Sequence, residues 1–313
     1  MHEVLAEVVR NGFAESLHYG SVAGLAPDGT LAHVRGDAHA TVLPRSTTKP
    51  FQALACLAAG APLSGELLAI AAGSHTGEDF HVKAVDAVLS GAGLGHGALR
   101  CPPSRPEDEA TWISLIRAGE GESRERMNCS GKHAAMLAAC VANGWPTDSY
   151  LDPGHPIQER VRRALADGAG EDPGPVAVDG CGAPLFGLTL AGLARATRSL
   201  VVAGDGPARA VADAMRAHPE YVGGTGHLNT EFMRALPGSI AKGGAEGVFV
   251  AATAEGHAVA VKVIDGGPRA TTAIALRALA ALGADVAAAA PLAAVPVLGG
   301  GRRVGEVRTT EGK

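Results

Sequence analysis

The segment Pro44-Arg45-Ser46-Thr47-Thr48-Lys49-Pro50 places a serine and a lysine three residues apart at the head of an apolar run, Phe51 to Ala59. Residues three apart share a face on one turn of helix, so this spacing can bring the Ser46 hydroxyl and the Lys49 amine together. A serine is a weak nucleophile until a base takes its proton. A lysine is a base only when neutral, and burial away from water is what lowers an amine's pKa toward that state. The same residues also serve a plainer end, because Ser46, Thr47 and Thr48 are good helix caps and Lys49 can be a solvated charge. Pro50 limits the geometry. It lacks a backbone N–H, tolerates only the first helical turn and biases Lys49 away from helical dihedrals, so the helix is expected to begin close to Ser46.

Four further stretches carry groups able to do chemistry. In Gly73-Ser74-His75-Thr76-Gly77-Glu78, Thr76 and Asp79 suggest a cap for a helix over 80–89, which leaves Ser74 and His75 on a loop, a favoured place for function. Asn128-Cys129-Ser130-Gly131-Lys132-His133 runs into a helix over 134–141 and repeats the three-residue spacing with Cys129 and Lys132. Asp179-Gly180-Cys181-Gly182-Ala183-Pro184 is a turn whose glycines let backbone approach a ligand. Ala241-Lys242-Gly243-Gly244 leads into two strand-like runs, 248–252 and 258–263, joined through Glu255-Gly256 as a hairpin.

The elements that must hold these groups follow from the rest of the chain. Runs at 4–9, 21–25 and 30–35, separated by Asn11-Gly12 and Pro27-Asp28-Gly29, read as an antiparallel meander. Helices are expected over 109–117, 157–166, 185–196, 207–217 and 268–282, with a short apolar segment at 176–178. Strands at both ends with helices between them predict an α+β fold with one sheet shared by the termini. The boundaries are a catalytic unit over 1–270, its sheet from about 3–36 and 238–265 around a helical region of about 45–235. A C-terminal helix and a weakly ordered tail complete 271–313.

Composition narrows the partners. Of 313 residues, 46% are apolar but only 4% aromatic, and 43 are glycine, which points to a large core of Ala, Val and Leu with close backbone approaches. A formal net charge of −5 without a basic stripe speaks against nucleic acid and leaves small-molecule chemistry. No early segment has the build of a secretory signal, and no apolar run approaches the ~20 residues of a membrane helix. A soluble cytoplasmic protein is expected. Five widely spaced cysteines, Cys56, Cys101, Cys129, Cys140 and Cys181, do not read as a disulfide framework. They are core fillers or metal ligands.

Taken in order, the motifs around Ser46, Ser74, Cys129, Cys181 and Lys242 resemble the rhizobial-type (type II) L-asparaginase family, distinct from the bacterial threonine-nucleophile asparaginases. The resemblance runs from about residue 3 to about residue 267. It implies a fold like that of serine β-lactamases, penicillin-binding proteins and glutaminases, an antiparallel sheet flanked by helices, and hydrolysis of L-asparagine to L-aspartate and ammonia by a homodimer. Ser46 and Lys49 match the family's first Ser-Lys pair, the proposed nucleophile and base. Ser74 and Lys242 match a second pair beside it, with Lys242 placed like the lysine of the β-lactamase Lys-Thr-Gly strand. Cys129, Lys132 and Cys181 match a Zn²⁺ site, although both cysteines also read as buried apolar residues.

Amide hydrolysis needs a nucleophile, a base that hands its proton to the leaving ammonia, and donors for the oxyanion. Two lysines in one pocket repel, which helps to keep one neutral; Lys49 and Lys242 are therefore expected to divide the roles of base and electrostatic partner around Ser46 or Ser74. For an amino-acid substrate, Arg45, His133 and Asp179 are the charged groups nearest the motifs. Each has a structural alternative, an ion pair for Arg45 and Asp179 and an ordinary helix position for His133. Two other readings stay open: a broader serine amidase acting on glutamine or β-lactam-like amides, and a non-catalytic ligand-binding sensor domain.

Overall fold

The structure is a computed structural model that describes residues 1–310. An eight-stranded antiparallel sheet forms one layer. Across it, the strands run Val295–Gly299, Arg302–Thr309, Glu3–Arg10, Phe13–Leu25, Ala258–Val263, Val248–Ala252 and Ile240–Gly244, with Leu31–Arg35 also paired to Phe13–Leu25. The first hairpin turns on Asn11 and Gly12 at φ 47° and 82°, which lets Arg10 pair directly with Phe13. Positive φ at both central residues matches the right-handed twist of the strands it joins. The strand Ala258–Val263 is buried at every position but Lys262, and helices Leu190–Val202 and Thr271–Ala281 both pack on it. The expected α+β class, with a sheet built from both termini, is what the chain adopts.

Helices Lys49–Ala58, Gly65–Ala71, Asp79–Gly91, Ser130–Asn143 and Pro156–Ala169 form the region that holds the chemistry. Ser130–Asn143 lies at its centre, with every residue from Ser130 to Cys140 buried. Its sequence explains how it fits there. Six of its fourteen residues are Ala or Gly, and a Cβ added to Gly131 would sit 2.4 Å from the Ile70 carbonyl oxygen. The helix thus approaches Gly65–Ala71 to backbone contact, and this is where aromatic-poor composition becomes tight packing.

Two stretches depart from the sequence expectation. Residues 185–196 do not form one helix: Pro184–Phe186 pairs with Val176–Val178, Leu188–Thr189 pairs with Thr41–Val42, and the helix starts only at Leu190. Thr189 Oγ1 accepts the Gly192 N–H at 2.9 Å and fixes that start. The segment after Gly283, expected as a weakly ordered tail, supplies the hairpin Val295–Gly299 and Arg302–Thr309, which joins the sheet on the open side of Glu3–Arg10. Its Pro296, run of glycines at 299–301 and three arginines hide the apolar alternation. Those are also the residues that an edge hairpin tolerates. Lys313, the far end of the expected tail, lies outside the described residues. Among the described residues no helix is long and apolar enough to cross a membrane.

Candidate active site

Ser74 follows helix Gly65–Ala71 and is pinned on both sides. Its N–H donates to the Val222 carbonyl at 2.9 Å, the His75 N–H to the Asn128 carbonyl at 3.2 Å, and the Thr76 N–H to the Gly223 carbonyl at 2.8 Å. Lys49 enters from the first turn of helix Lys49–Ala58, and Lys242 from the middle of strand Ile240–Gly244. Both are buried. The Nζ of each lies 2.8 Å from Ser74 Oγ, with second contacts to the Asn128 carbonyl at 3.1 Å for Lys49 and the Gly243 carbonyl at 2.7 Å for Lys242.

This differs from the pairing that local spacing suggests. Arg45–Thr48 winds as a short 3₁₀ turn and the α-helix begins at Lys49. Spacing sets which face a side chain leaves from, but not where a four-carbon stem ends. A buried amine goes to acceptors, and Ser74 Oγ and the Asn128 carbonyl supply them. Ser46 instead lines a cavity of about 600 Å³ together with Ser74 and Lys242.

Electrostatics separate the two lysines. Burial first, and then the positive charge of Lys49, hold the Lys242 amine well below the ordinary lysine range. A neutral amine beside a serine hydroxyl is a base in position. His75, on the same loop, is buried with Nε2 2.8 Å from Ser130 Oγ and its ring stacked on His81 at 4.9 Å. Burial keeps it neutral, its pKa well below the usual value.

The sulfur pair lies next to this centre. Cys129 and Cys181 are buried; Cys129 Sγ donates to Asn128 Oδ1 at 3.1 Å and Cys181 Sγ to Asp179 Oδ2 at 3.8 Å. The neighbouring Cys181 holds the Cys129 thiol well below its usual pKa, and Cys129, with burial, pushes Cys181 up. Burial alone would lower Lys132, but the charges of Cys181, Cys129 and Asp179 outweigh it and raise it. Two sulfurs and one amine nitrogen are thus brought together, and they suit Zn²⁺ in kind, since it favours S and N donors. Among the described residues no group of three or more His, Cys, Asp and Glu side chains is arranged to hold a metal, so the set reaches three donors only through Lys132.

The three residues expected to meet substrate charges are placed otherwise. Arg45 Nε donates to Asp179 Oδ1 at 2.8 Å, from a backbone at φ 53° that non-glycine residues rarely adopt. Asp179 also lies 3.9 Å from Lys132 Nζ. His133 is buried with Nδ1 2.7 Å from the Tyr150 hydroxyl. None of the three is among the residues lining the cavity. Those that do include Glu107, Asn128 and Asn229. Asn229 is buried, and its Oδ1 accepts the Gly243 N–H at 2.8 Å, steadying the strand that carries Lys242. Only Asn128 stood inside a motif; Glu107 and Asn229 sit in stretches with no spacing to mark them.

Helical chemistry around a pinned serine, on a sheet closed by both termini, defines a serine-centred α+β protein. The chain belongs to the L-asparaginase II family, whose model matches residues 6–309. Similar solved structures include Mglu in its native form, at 15% identity and a TM-score of 0.45 over 85% of this chain and 65% of that one. Mglu in its glutamate form is 16% identical, TM-score 0.45, over 84% and 59%. A β-lactamase from Mycobacterium bovis is 17% identical, TM-score 0.48, over 84% and 94%. The chain thus spans less than two thirds of the length of these two Mglu chains. A sequence search of curated proteins finds no match.

Proposed function

We propose that this protein is an amidohydrolase that converts L-asparagine to L-aspartate and ammonia, with Ser74 as nucleophile and Lys242 as base. The observation that carries the reading is the convergence of Lys49 Nζ and Lys242 Nζ on Ser74 Oγ, each at 2.8 Å. Ser74 Oγ attacks the side-chain amide carbon while its proton passes to neutral Lys242, and the carbonyl electron pair moves onto oxygen. As that pair returns, the C–N bond breaks and Lys242 delivers the proton to the leaving ammonia. Water then attacks the acyl carbon as Lys242 takes its proton; the bond to Ser74 Oγ breaks and Lys242 returns the proton to the serine oxygen, releasing L-aspartate and restoring the site. Lys49 donates to the serine oxygen and so holds its proton turned toward Lys242.

Cys129, Lys132 and Cys181 would hold Zn²⁺. When bound, the ion would supply fixed positive charge beside the site and demand deprotonated ligands. Lys132 is then the ligand with the most to give up, because its thiol and carboxylate neighbours favour its protonated form. The family likeness implies a homodimer, which sedimentation tests, and the cytoplasmic location expected from the sequence is tested by cell fractionation.

The experiment is ammonia release from L-asparagine, with L-glutamine alongside, by wild type, Ser74→Ala and Ser46→Ala. Loss of about 10⁴-fold or more in Ser74→Ala, with turnover surviving in Ser46→Ala, is the expected result. The reverse pattern hands the nucleophile to Ser46. Release from glutamine but not asparagine selects the broader serine amidase, and no release from either amide favours a ligand-binding domain.

A further inference from the structure

The cavity over Ser74 is lined by a single carboxylate. Of its lining side chains only Glu107 is acidic. The other charged candidates are engaged elsewhere, since Arg45 and Asp179 bond each other and lie off the cavity. An α-amino acid brings an ammonium group, and an ammonium ion leaving water needs an anionic acceptor.

Glu107 is held where such an acceptor is required. Its Oε1 accepts a hydrogen bond from Asn128 Nδ2 at 2.6 Å. The carbonyl of the same Asn128 accepts from Lys49 Nζ at 3.1 Å and from the His75 N–H at 3.2 Å. One residue therefore ties the carboxylate to both flanks of Ser74. The backbone of its loop is tied as well: the Asp108 N–H donates to the Thr76 carbonyl at 3.0 Å, and Asp108 caps helix Glu109–Arg117 through the Thr111 N–H at 2.7 Å. Glu107 is solvent-exposed, so it stands at the open side of the cavity. Its Oε1 is taken by Asn128, while Oε2 has no hydrogen bond among those of the described residues.

We infer that Glu107 is the specificity-determining residue of this site, receiving the α-ammonium of an amino-acid amide whose side-chain amide reaches Ser74. The inference rests on the hydrolytic reading only for the identity of the nucleophile; the charge recognition is testable without turnover. It assigns the substrate class as α-amino acids, and sets amides that lack the amino group apart as poor ligands.

The test is titration calorimetry of wild type, Glu107→Gln and Glu107→Asp with L-aspartate and with succinate, which differs by the missing amino group, alongside KM and kcat for L-asparagine and succinamate. Glutamine keeps an acceptor for Asn128 and removes only the charge, and circular dichroism checks that each variant is folded. Wild type should bind L-aspartate at least tenfold tighter than succinate. Glu107→Gln should lose that preference, raising KM for asparagine about tenfold or more with succinamate unchanged, and Glu107→Asp should keep part of it. Equal binding of the two ligands by wild type, or a preference untouched or weakened equally for both ligands in folded Glu107→Gln, overturns the inference. The outcomes separate from those of the hydrolytic reading. A protein that discriminates through Glu107 but releases no ammonia upholds this inference and sinks that one, and ammonia release without discrimination does the opposite.

Discussion

Lys49 and Lys242 share one acceptor: the Nζ of each is 2.8 Å from Ser74 Oγ, although the two lysines are 193 residues apart in the chain and come from a helix and a strand. Two ammonium groups against one oxygen repel, and the burial of both amplifies the repulsion. The arrangement is stable with one of them neutral. Lys242, held well below the ordinary lysine range by burial and by Lys49, is that one.

The pH profile follows from this. Lys242 works as a base only when neutral, so kcat should fall as pH drops through its depressed pKa and level off above it. Replacing Lys49 by Met removes one cause of the depression. The ionisation in whatever activity remains should then move to higher pH. A profile unchanged by Lys49→Met would show that the two amines do not act on each other.

Acid stability should decline over a definite window. In an unfolded chain a histidine binds its proton near pH 6.5, whereas burial, Lys242 and His81 push His227 down to about 4 in the folded protein. Between those values the unfolded state binds more protons, so stability falls as pH falls. His75 and His133, also lowered by burial, add to the slope. Melting temperatures measured from pH 7.5 to 4.5 should decrease most steeply below about 6.5, and His227→Asn should flatten the curve.

Asp179→Ala should destabilise the protein. Asp179 is nearly buried, pairs with Arg45 at 2.8 Å and lies 3.9 Å from Lys132. Its removal leaves Arg45 with only the more distant Glu246 at 3.8 Å and takes one of three anionic neighbours from buried Lys132, a loss on the order of 3 kcal/mol. Urea denaturation measures it directly, and a change within ±0.5 kcal/mol would mean that the pair is solvated rather than structural.

Gly131→Ala reverses the usual helix rule. Alanine in a helix normally gains about 1 kcal/mol over glycine, but here its Cβ would meet the Ile70 carbonyl at 2.4 Å, a backbone atom that cannot swing away. A lowered melting temperature is expected, with a loss of roughly 1–3 kcal/mol.

Metal content tests the sulfur pair. Protein purified without chelator should carry close to one zinc per chain by elemental analysis, and Cys181→Ser and Cys129→Ser should each lose most of it. Zinc equally abundant in both variants would place the ion elsewhere.

The sequence by itself determined the elements whose signals are local. Asn11-Gly12 dictates a tight hairpin because both residues accept positive φ, and the Val-rich runs at 248–252 and 258–263 can pair as a hairpin around Glu255-Gly256. The five motifs also named the residues that gather at the site, since Ser46, Ser74, Lys242, Cys129, Lys132 and Cys181 each stand in one of them. What spacing could not settle is partnership. Ser46 and Lys49 are neighbours in sequence, yet the Lys49 amine bonds Ser74, because a long flexible stem in the interior goes to whichever buried acceptor the fold presents. Glu107 reaches the cavity only because the Asp108–Thr76 and Asn128 bonds bring distant loops together. The hairpin at 295–309 is a strand pair only because Glu3–Arg10 offers it an open edge. Local chemistry fixes turns, caps and hairpins; long-range packing chooses which charged groups face one another, and that choice exists only in three dimensions.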